Sequence, residues 1–130
     1  MTMNSNPQVT IVDDDYSSIF IVQEYIQHFV PNATVSGFVR PAEALKELSK
    51  QEAPDVLFVD LKMPDIDGFE FLDQWQPKEG KKTRIFVLSS SISPKDRNRS
   101  LNYPIVEDYF CKPLSTDDVH RIFSGAIEAG

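Results

Sequence analysis

Acidic, hydroxyl and ammonium side chains recur in this chain directly after short apolar runs. Asp13, Asp14 and Asp15 follow Val9-Thr10-Ile11-Val12, and Asp60 follows Val56-Leu57-Phe58-Val59. Ser89 and Ser90 follow the run from Arg84 to Leu88, and Lys112 with Pro113 follows Tyr109-Phe110-Cys111. Carboxylates gathered in one place repel each other and stay partly protonated unless a cation sits among them. A hard divalent ion is implied. Mg²⁺ takes oxygen ligands and keeps several waters, so one or two carboxylates, a backbone carbonyl and a phosphate oxygen would suit it. No Cys or His lies near the carboxylates in sequence, which argues against zinc. Such an ion and the Lys112 ammonium together could neutralise a transferring phosphoryl group, a reaction in which positioning and charge stabilisation supply nearly all the catalysis. Asp60, alone at the end of its run, is the candidate carboxylate nucleophile.

Bringing these groups together requires that the runs before them be neighbouring strands. Five β-type runs, at 9–12, 34–38, 56–59, 84–88 and 109–111, alternate with helical patterns, which implies βα units. Val-Leu-Phe-Val and Ile-Phe-Val-Leu lack in/out alternation, so they suit a parallel sheet covered on both faces, with the third and fourth runs central. Ligands of such sheets bind outside the carboxyl ends of the strands, where all the singled-out residues fall. Ile19, Val22, Ile26 and Phe29 form an apolar stripe over 17–29, ended by Pro31. Pro41 opens a short helix to Ser49 through Ala44, Leu45 and Leu48. Gly68 can turn the chain tightly into a helix over 67–74 carrying Phe69, Phe71 and Leu72, with Trp75 next. Ser115-Thr116-Asp117-Asp118 resembles a capping box, followed by Val119, Ile122, Phe123, Ala126 and Ile127. Ser93-Pro94 starts a helix whose stretch from Asp96 to Ser100 holds no apolar residue, making it the loosest element. The polar segment 1–7 and the tail after Ile127 are expected to fray, leaving one domain over 8–128 with no linker to a second.

Composition narrows the function. The chain has 130 residues, 41% of them hydrophobic, so a single core needs no disulfide or structural metal. A net charge of -7 has the wrong sign for a nucleic-acid partner. The apolar runs are too short to span a membrane, and Met-Thr-Met-Asn-Ser-Asn-Pro lacks the pattern of a secretion signal. One cysteine excludes an internal disulfide, and a cytoplasmic setting is the natural reading.

Val12-Asp13-Asp14-Asp15, then Asp60-Leu61-Lys62-Met63-Pro64 with Asp67-Gly68, then Leu88-Ser89-Ser90, and finally Tyr109-Phe110-Cys111-Lys112-Pro113 resemble, in this order, the receiver domain of two-component response regulators. The likeness covers essentially the whole chain. It implies a doubly wound (βα)5 fold of the flavodoxin and CheY-like kind, with a five-stranded parallel sheet in the order 2-1-3-4-5 and no output domain after the fifth helix. It also implies a signalling switch that is not a metabolic enzyme but catalyses its own phosphorylation and slow dephosphorylation. By position, Asp60 matches the phosphoacceptor, Asp13 and Asp14 the pair that organises Mg²⁺ with Asp14 the direct ligand, and the Lys62 backbone carbonyl the third protein ligand. Ser89 matches the hydroxyl that turns to the phosphoryl oxygen, Lys112 the lysine, Pro113 its cis-peptide partner and Tyr109 the aromatic switch. The implied partners are a sensor histidine kinase or histidine phosphotransfer protein and a downstream target protein, the chain being a monomer or a phosphorylation-dependent dimer. Two departures are Ser90, where a small apolar residue is common, and Lys62, where side-chain variation alters water access to the acyl phosphate.

Plainer readings stand beside these. Asp15 serves as a helix cap, Cys111 as a small buried hydrophobe, and His28 and His120 as ordinary helix-surface residues. Tyr109 could simply pack on the fourth helix. Lys95, Arg97 and Arg99 either contact an acidic partner patch or only solvate a mobile helix. On the switch reading, movement of Ser89 opens space that the Tyr109 ring enters, and signal leaves through the fourth helix, fifth strand and fifth helix. The alternative function is a pseudo-receiver acting as a constitutive docking module.

Overall fold

The computed structural model of the chain describes residues 6–50, 52–75 and 82–129. Strands and helices alternate: β1 (Gln8–Val12), α1 (Tyr16–Phe29), β2 (Thr34–Phe38), α2 (Pro41–Lys50), β3 (Val56–Val59), α3 (Gly68–Gln74), β4 (Arg84–Ser89), α4 (Pro94–Leu101), β5 (Val106–Cys111) and α5 (Thr116–Ala129). All strand pairs are parallel, in the order β2-β1-β3-β4-β5. This is the doubly wound arrangement that the alternating runs imply.

β3 shows why its sequence reads as one unbroken apolar run. Val56 and Phe58 join Ile11, Ile26, Phe86 and Phe123 in the core under α1 and α5. Leu57 and Val59 join Val12, Leu48, Phe71 and Val87 in the core under α2 and α3. Each buried aromatic or aliphatic side chain contributes about 1.5–3 kcal/mol, so this central strand leaves no position for a polar residue until it ends at Asp60. Phe58, Phe86 and Phe110 stack a ring ladder across β3, β4 and β5, with 5.7 Å between centroids at both steps.

Local signals set the helix starts. Asp15 caps α1 by accepting a hydrogen bond from the Ser17 N–H. Asp67 and Glu70 form a reciprocal capping box on α3, and Ser115 and Asp118 form one on α5. Ser93 caps α4 with Pro94 in the first turn. In α4 only Ser100 is buried, and its hydroxyl bonds the Asp96 carbonyl. Arg99 is not a freely solvated charge: its guanidinium carbon lies 3.9 Å from the centre of the Phe69 ring of α3. The Tyr103 ring just past α4 stacks on Phe69 as well, with its hydroxyl donating to Asp73 at 3.0 Å.

Four expectations change. β5 begins at Val106, three residues before Tyr109, because it is an edge strand whose exposed side accepts Glu107 and Asp108 despite their poor strand propensity. A register irregularity at Ile85/Phe86 pairs Val106 and Asp108 with consecutive β4 residues and leaves Glu107 between them. Order reaches back to Pro7, which is buried and accepts from the Thr34 N–H at 3.0 Å; residues 1–5 of the segment expected to fray lie outside the described residues. The helix runs past Ile127 to Ala129, with non-helical angles at Phe123. Cys111 is exposed, because it ends the edge strand on its outer side.

Arg84 joins these last features. Its guanidinium pairs with both oxygens of Glu107 at 2.8 and 2.6 Å and donates to the Ile122 carbonyl, next to the irregular Phe123. The Arg84 hydrogen bond holds Glu107 below the usual 4.5, against the opposing effect of partial burial. A carboxyl with a lowered folded pKa contributes stability above pH 4.5 and loses it as pH falls through the lowered value. Glu107→Gln should therefore cost about 1 kcal/mol or less at pH 7, given its exposure, and nothing once pH drops below that window, as read by paired denaturation curves. A second outcome concerns Gly68, whose N–H donates to the Leu61 carbonyl at 2.9 Å and where a Cβ would strike the Asp60 carbonyl and the Leu61 Cα. Gly68→Ala should destabilise by about 1–3 kcal/mol in urea titration, because the obstacle is backbone and cannot rotate away.

Candidate functional site

The hydrogen-bond ladder of the sheet continues one residue beyond the strand ends and carries the reactive groups with it. The Asp13 N–H donates to the Phe38 carbonyl at 3.0 Å, Asp60 N–H to Val12 at 2.9 Å, and Lys112 N–H to Ser89 at 2.9 Å. Three strands thus fix three backbones at one rim. The Lys112–Pro113 peptide bond in that rim is cis.

The side chains converge. Lys112 Nζ lies 2.6 Å from Asp13 Oδ2 and 3.1 Å from Asp60 Oδ2. Asp13 and Asp60 are buried, Asp14 is exposed, and one oxygen from each of the three carboxylates lies within 4.8 Å of the others. Three carboxylates against one ammonium leave a formal charge of minus two, a donor set that suits a hard divalent cation. Burial raises the Asp13 pKa above 3.8, with the nearby Asp60 charge adding to it, against the lowering hydrogen bonds from Lys112 and the Asp15 N–H. For Lys112, burial pulls down, but the Asp13 hydrogen bond and the charges of Asp60 and Asp13 prevail and hold it above 10.5. The ammonium is therefore charged at neutral pH.

The remaining predicted residues fall at different depths. Asp15 is outside the cluster, engaged in capping α1. Lys62 is exposed, and its backbone N–H reaches Asp60 Oδ1 at 3.4 Å. Ser89 is fully buried at the end of β4, its hydroxyl accepting from the Ser91 N–H at 3.3 Å, whereas Ser90 is exposed. Tyr109 points inward: the ring is buried and its hydroxyl donates to the Ser91 carbonyl at 2.5 Å.

Sequence reasoning missed one residue, Ser18, and the contacts that Ser91 and Arg99 make. Ser18 accepts from Lys112 Nζ at 3.3 Å, across 94 residues of sequence. Ser91 donates from its hydroxyl to Asp96 Oδ2 at 2.6 Å, tying the loop after β4 to the first turn of α4. Arg99 lines a cleft of about 500 Å³ beside the carboxylates, with Asp14, Lys62, Pro64, Asp67 and Asp96. The Ser18 contact spans 94 residues and has no local pattern, while the Ser91–Asp96 bond spans only five but involves a loop serine like any other near a helix start; the position of Ser18 on the first turn after the acidic run hints at the site.

Among the described residues no helix is long and apolar enough to cross a membrane. The chain is 28% identical over 116 residues to the nitrate/nitrite response regulator protein NarL of Escherichia coli, covering 89% of this chain and 53% of that protein. It is 23% identical over 121 residues to the hybrid signal transduction histidine kinase L of Dictyostelium discoideum, covering 88% of this chain and 7% of the kinase. The chain therefore spans only part of the curated relatives it matches. A two component response regulator from Cytophaga hutchinsonii superposes with a TM-score of 0.81 at 22% identity, over 93% of this chain and 96% of the other, which speaks to the fold. The model of the response regulator receiver domain matches residues 9–124. With nearly the whole fold inside that match and an acidic cluster at the carboxyl edge of its sheet, the chain belongs to the response regulator receiver domains of two-component signalling.

Proposed function

We propose that Asp60 accepts a phosphoryl group from a phosphohistidine on a sensor kinase or phosphotransfer protein, and that the chain signals by altering its binding to a target protein. One observation carries this reading: a charged lysine bridges the buried Asp60 and Asp13 while a third carboxylate stands within ligand distance. A carboxylate oxygen of Asp60 attacks phosphorus; the new P–O bond forms as the P–N bond breaks, and that electron pair stays on the imidazole. Hydrolysis runs by attack of water on the same phosphorus, which returns the Asp60 carboxylate and releases inorganic phosphate with the water's proton. Lys112 Nζ, 3.1 Å from Asp60 Oδ2, is placed to donate a charge-assisted hydrogen bond to a phosphoryl oxygen as the Asp60 carboxylate gives up its charge.

Asp13, Asp14, Asp60 and the Lys62 backbone carbonyl are the residues that would hold Mg²⁺, which supplies charge neutralisation for the phosphoryl oxygens when bound. The crowding of three carboxylates supports this assignment. Tyr16 and Phe20, in the first turns of α1 after the acidic run, are 76% and 61% exposed and offer the donor protein an apolar landing. Output follows from the polar docking of α4. A helix held by one capping serine, the Ser91–Asp96 bond and a cation–π contact has a small gap between alternative positions. Ser89 bonding a phosphoryl oxygen would draw on the same loop whose Ser91 carbonyl holds Tyr109, so the α4, β5 and α5 face is the readout. A signalling receiver of this kind works in the cytoplasm. The pseudo-receiver alternative has no observation in its favour, because Lys112 contacts both Asp13 and Asp60 and an Asp14 oxygen lies within 4.8 Å of theirs.

Asp60→Asn should abolish labelling by a small-molecule phosphodonor and leave the circular dichroism spectrum unchanged; labelling at the parent's rate would refute the acceptor. Mg²⁺ at ten times its Kd should stabilise by about 1.4 kcal/mol through linkage. That corresponds to a Tm rise of roughly 3–6 °C, and Asp14→Ala should lose most of it. Beryllofluoride should slow amide exchange from Ser89 to Tyr109 in the parent and much less in Ser89→Ala; equal responses would exclude the proposed route.

A further inference from the structure

The Lys112 ammonium has three N–H donors, and three side-chain oxygens lie within reach of them. Two belong to Asp13 and Asp60; the third is the Ser18 hydroxyl oxygen at 3.3 Å. The two kinds of acceptor differ in what phosphorylation does to them. Asp60 loses its full charge on becoming an acyl phosphate, and Asp13 belongs to the metal-organising pair, so both change their chemistry during the cycle. Ser18 alone of the three keeps the same neutral oxygen throughout. Its backbone is fixed in the first turn of α1 between the Asp15 cap and the buried Ile19. A neutral acceptor also suits the charge of the site, since a carboxylate at this position would add a fourth negative charge to three facing a single ammonium.

We infer that Ser18 is a positioning residue for phosphoryl transfer: its hydroxyl holds Lys112 Nζ above Asp60 while the two carboxylates exchange one set of partners for another. The inference rests on the reading of Asp60 as acceptor. Lys112 has four rotatable side-chain bonds, and without a constant partner the ammonium would have to be re-oriented in each cycle, at an entropic cost to the transition state. With Ser18 in place it is aligned in advance. The effect belongs to the rate of transfer rather than to metal affinity, because Ser18 contacts the lysine and none of the carboxylates is bonded to it among the described residues.

The test compares the parent, Ser18→Ala and Ser18→Thr, using acetyl phosphate as donor, calorimetry for Mg²⁺ and NMR of the Lys112 ammonium. Ser18→Ala should lower the maximal labelling rate about tenfold, the size of one lost hydrogen bond to a charged group, and leave the half-saturating donor concentration and the Mg²⁺ affinity unchanged. Hydrogen exchange of the ammonium should speed up several-fold in the same variant, and Ser18→Thr, which keeps the hydroxyl, should restore both. A labelled parent with Ser18→Ala equal to it in rate and exchange would overturn the inference and leave Asp60 as acceptor. A slowed Ser18→Ala that Ser18→Thr does not rescue would also overturn it. A parent that takes no label at Asp60 would overturn the acceptor reading and the inference together.

Discussion

The structure depends on a charge imbalance held at the end of a parallel sheet. Asp13 and Asp60 are buried side by side, and a single ammonium bridges them. Burying two carboxylates near a third is costly, and the lysine compensates only in part. The imbalance gives the rim a set of oxygen donors that suits a hard cation, with the lysine ammonium beside it. Everything beneath it serves rigidity. Four strand ends meet there because β3, buried on both faces, leaves no room for polar groups before Asp60, and the ladder from Val12, Phe38 and Ser89 fixes the backbones that carry the charges.

Rigidity on one side contrasts with looseness on the other. The α1 and α5 face is a dense apolar core, and Arg84 ties the start of β4 to Glu107 and to α5. α4 has no comparable core. It is held to the rest by a hydroxyl–carboxylate bond, a guanidinium on an aromatic ring, and Tyr103 bonded to Asp73. These are directional contacts of about 1 kcal/mol each, weak enough for a ligand to redistribute. Ser91 sits where the two regimes meet, since its hydroxyl reaches α4 and its carbonyl receives Tyr109.

Where burial alone decides structure, the sequence was legible. β1, β3, β4 and the Tyr109-Phe110 part of β5 were readable because buried apolar stretches have few other outcomes in a chain this size, and the residues after them had to gather at one edge. The acidic pair, Asp60 and Lys112 could be singled out for that reason. Three kinds of feature were not legible. Val106, Glu107 and Asp108 form half of β5 only because the strand is an edge and an arginine from β4 meets Glu107. Cys111 lies outside because it ends that same edge strand. Ser18 and Arg99 take their places through contacts made across the fold, and a serine on a polar helix face or an arginine in a charged run looks the same with or without such a partner.

The central claim is that this imbalance makes Asp60, and not a neighbouring carboxylate, the phosphoryl acceptor. Reaction with a small-molecule phosphodonor and Mg²⁺, followed by borohydride, converts an aspartyl phosphate to homoserine, which peptide mass spectrometry locates. The account predicts reduction at position 60 and at no other of the twenty acidic residues. Reduction at Asp13 or Asp14, or phosphorylation with none at position 60, would contradict it.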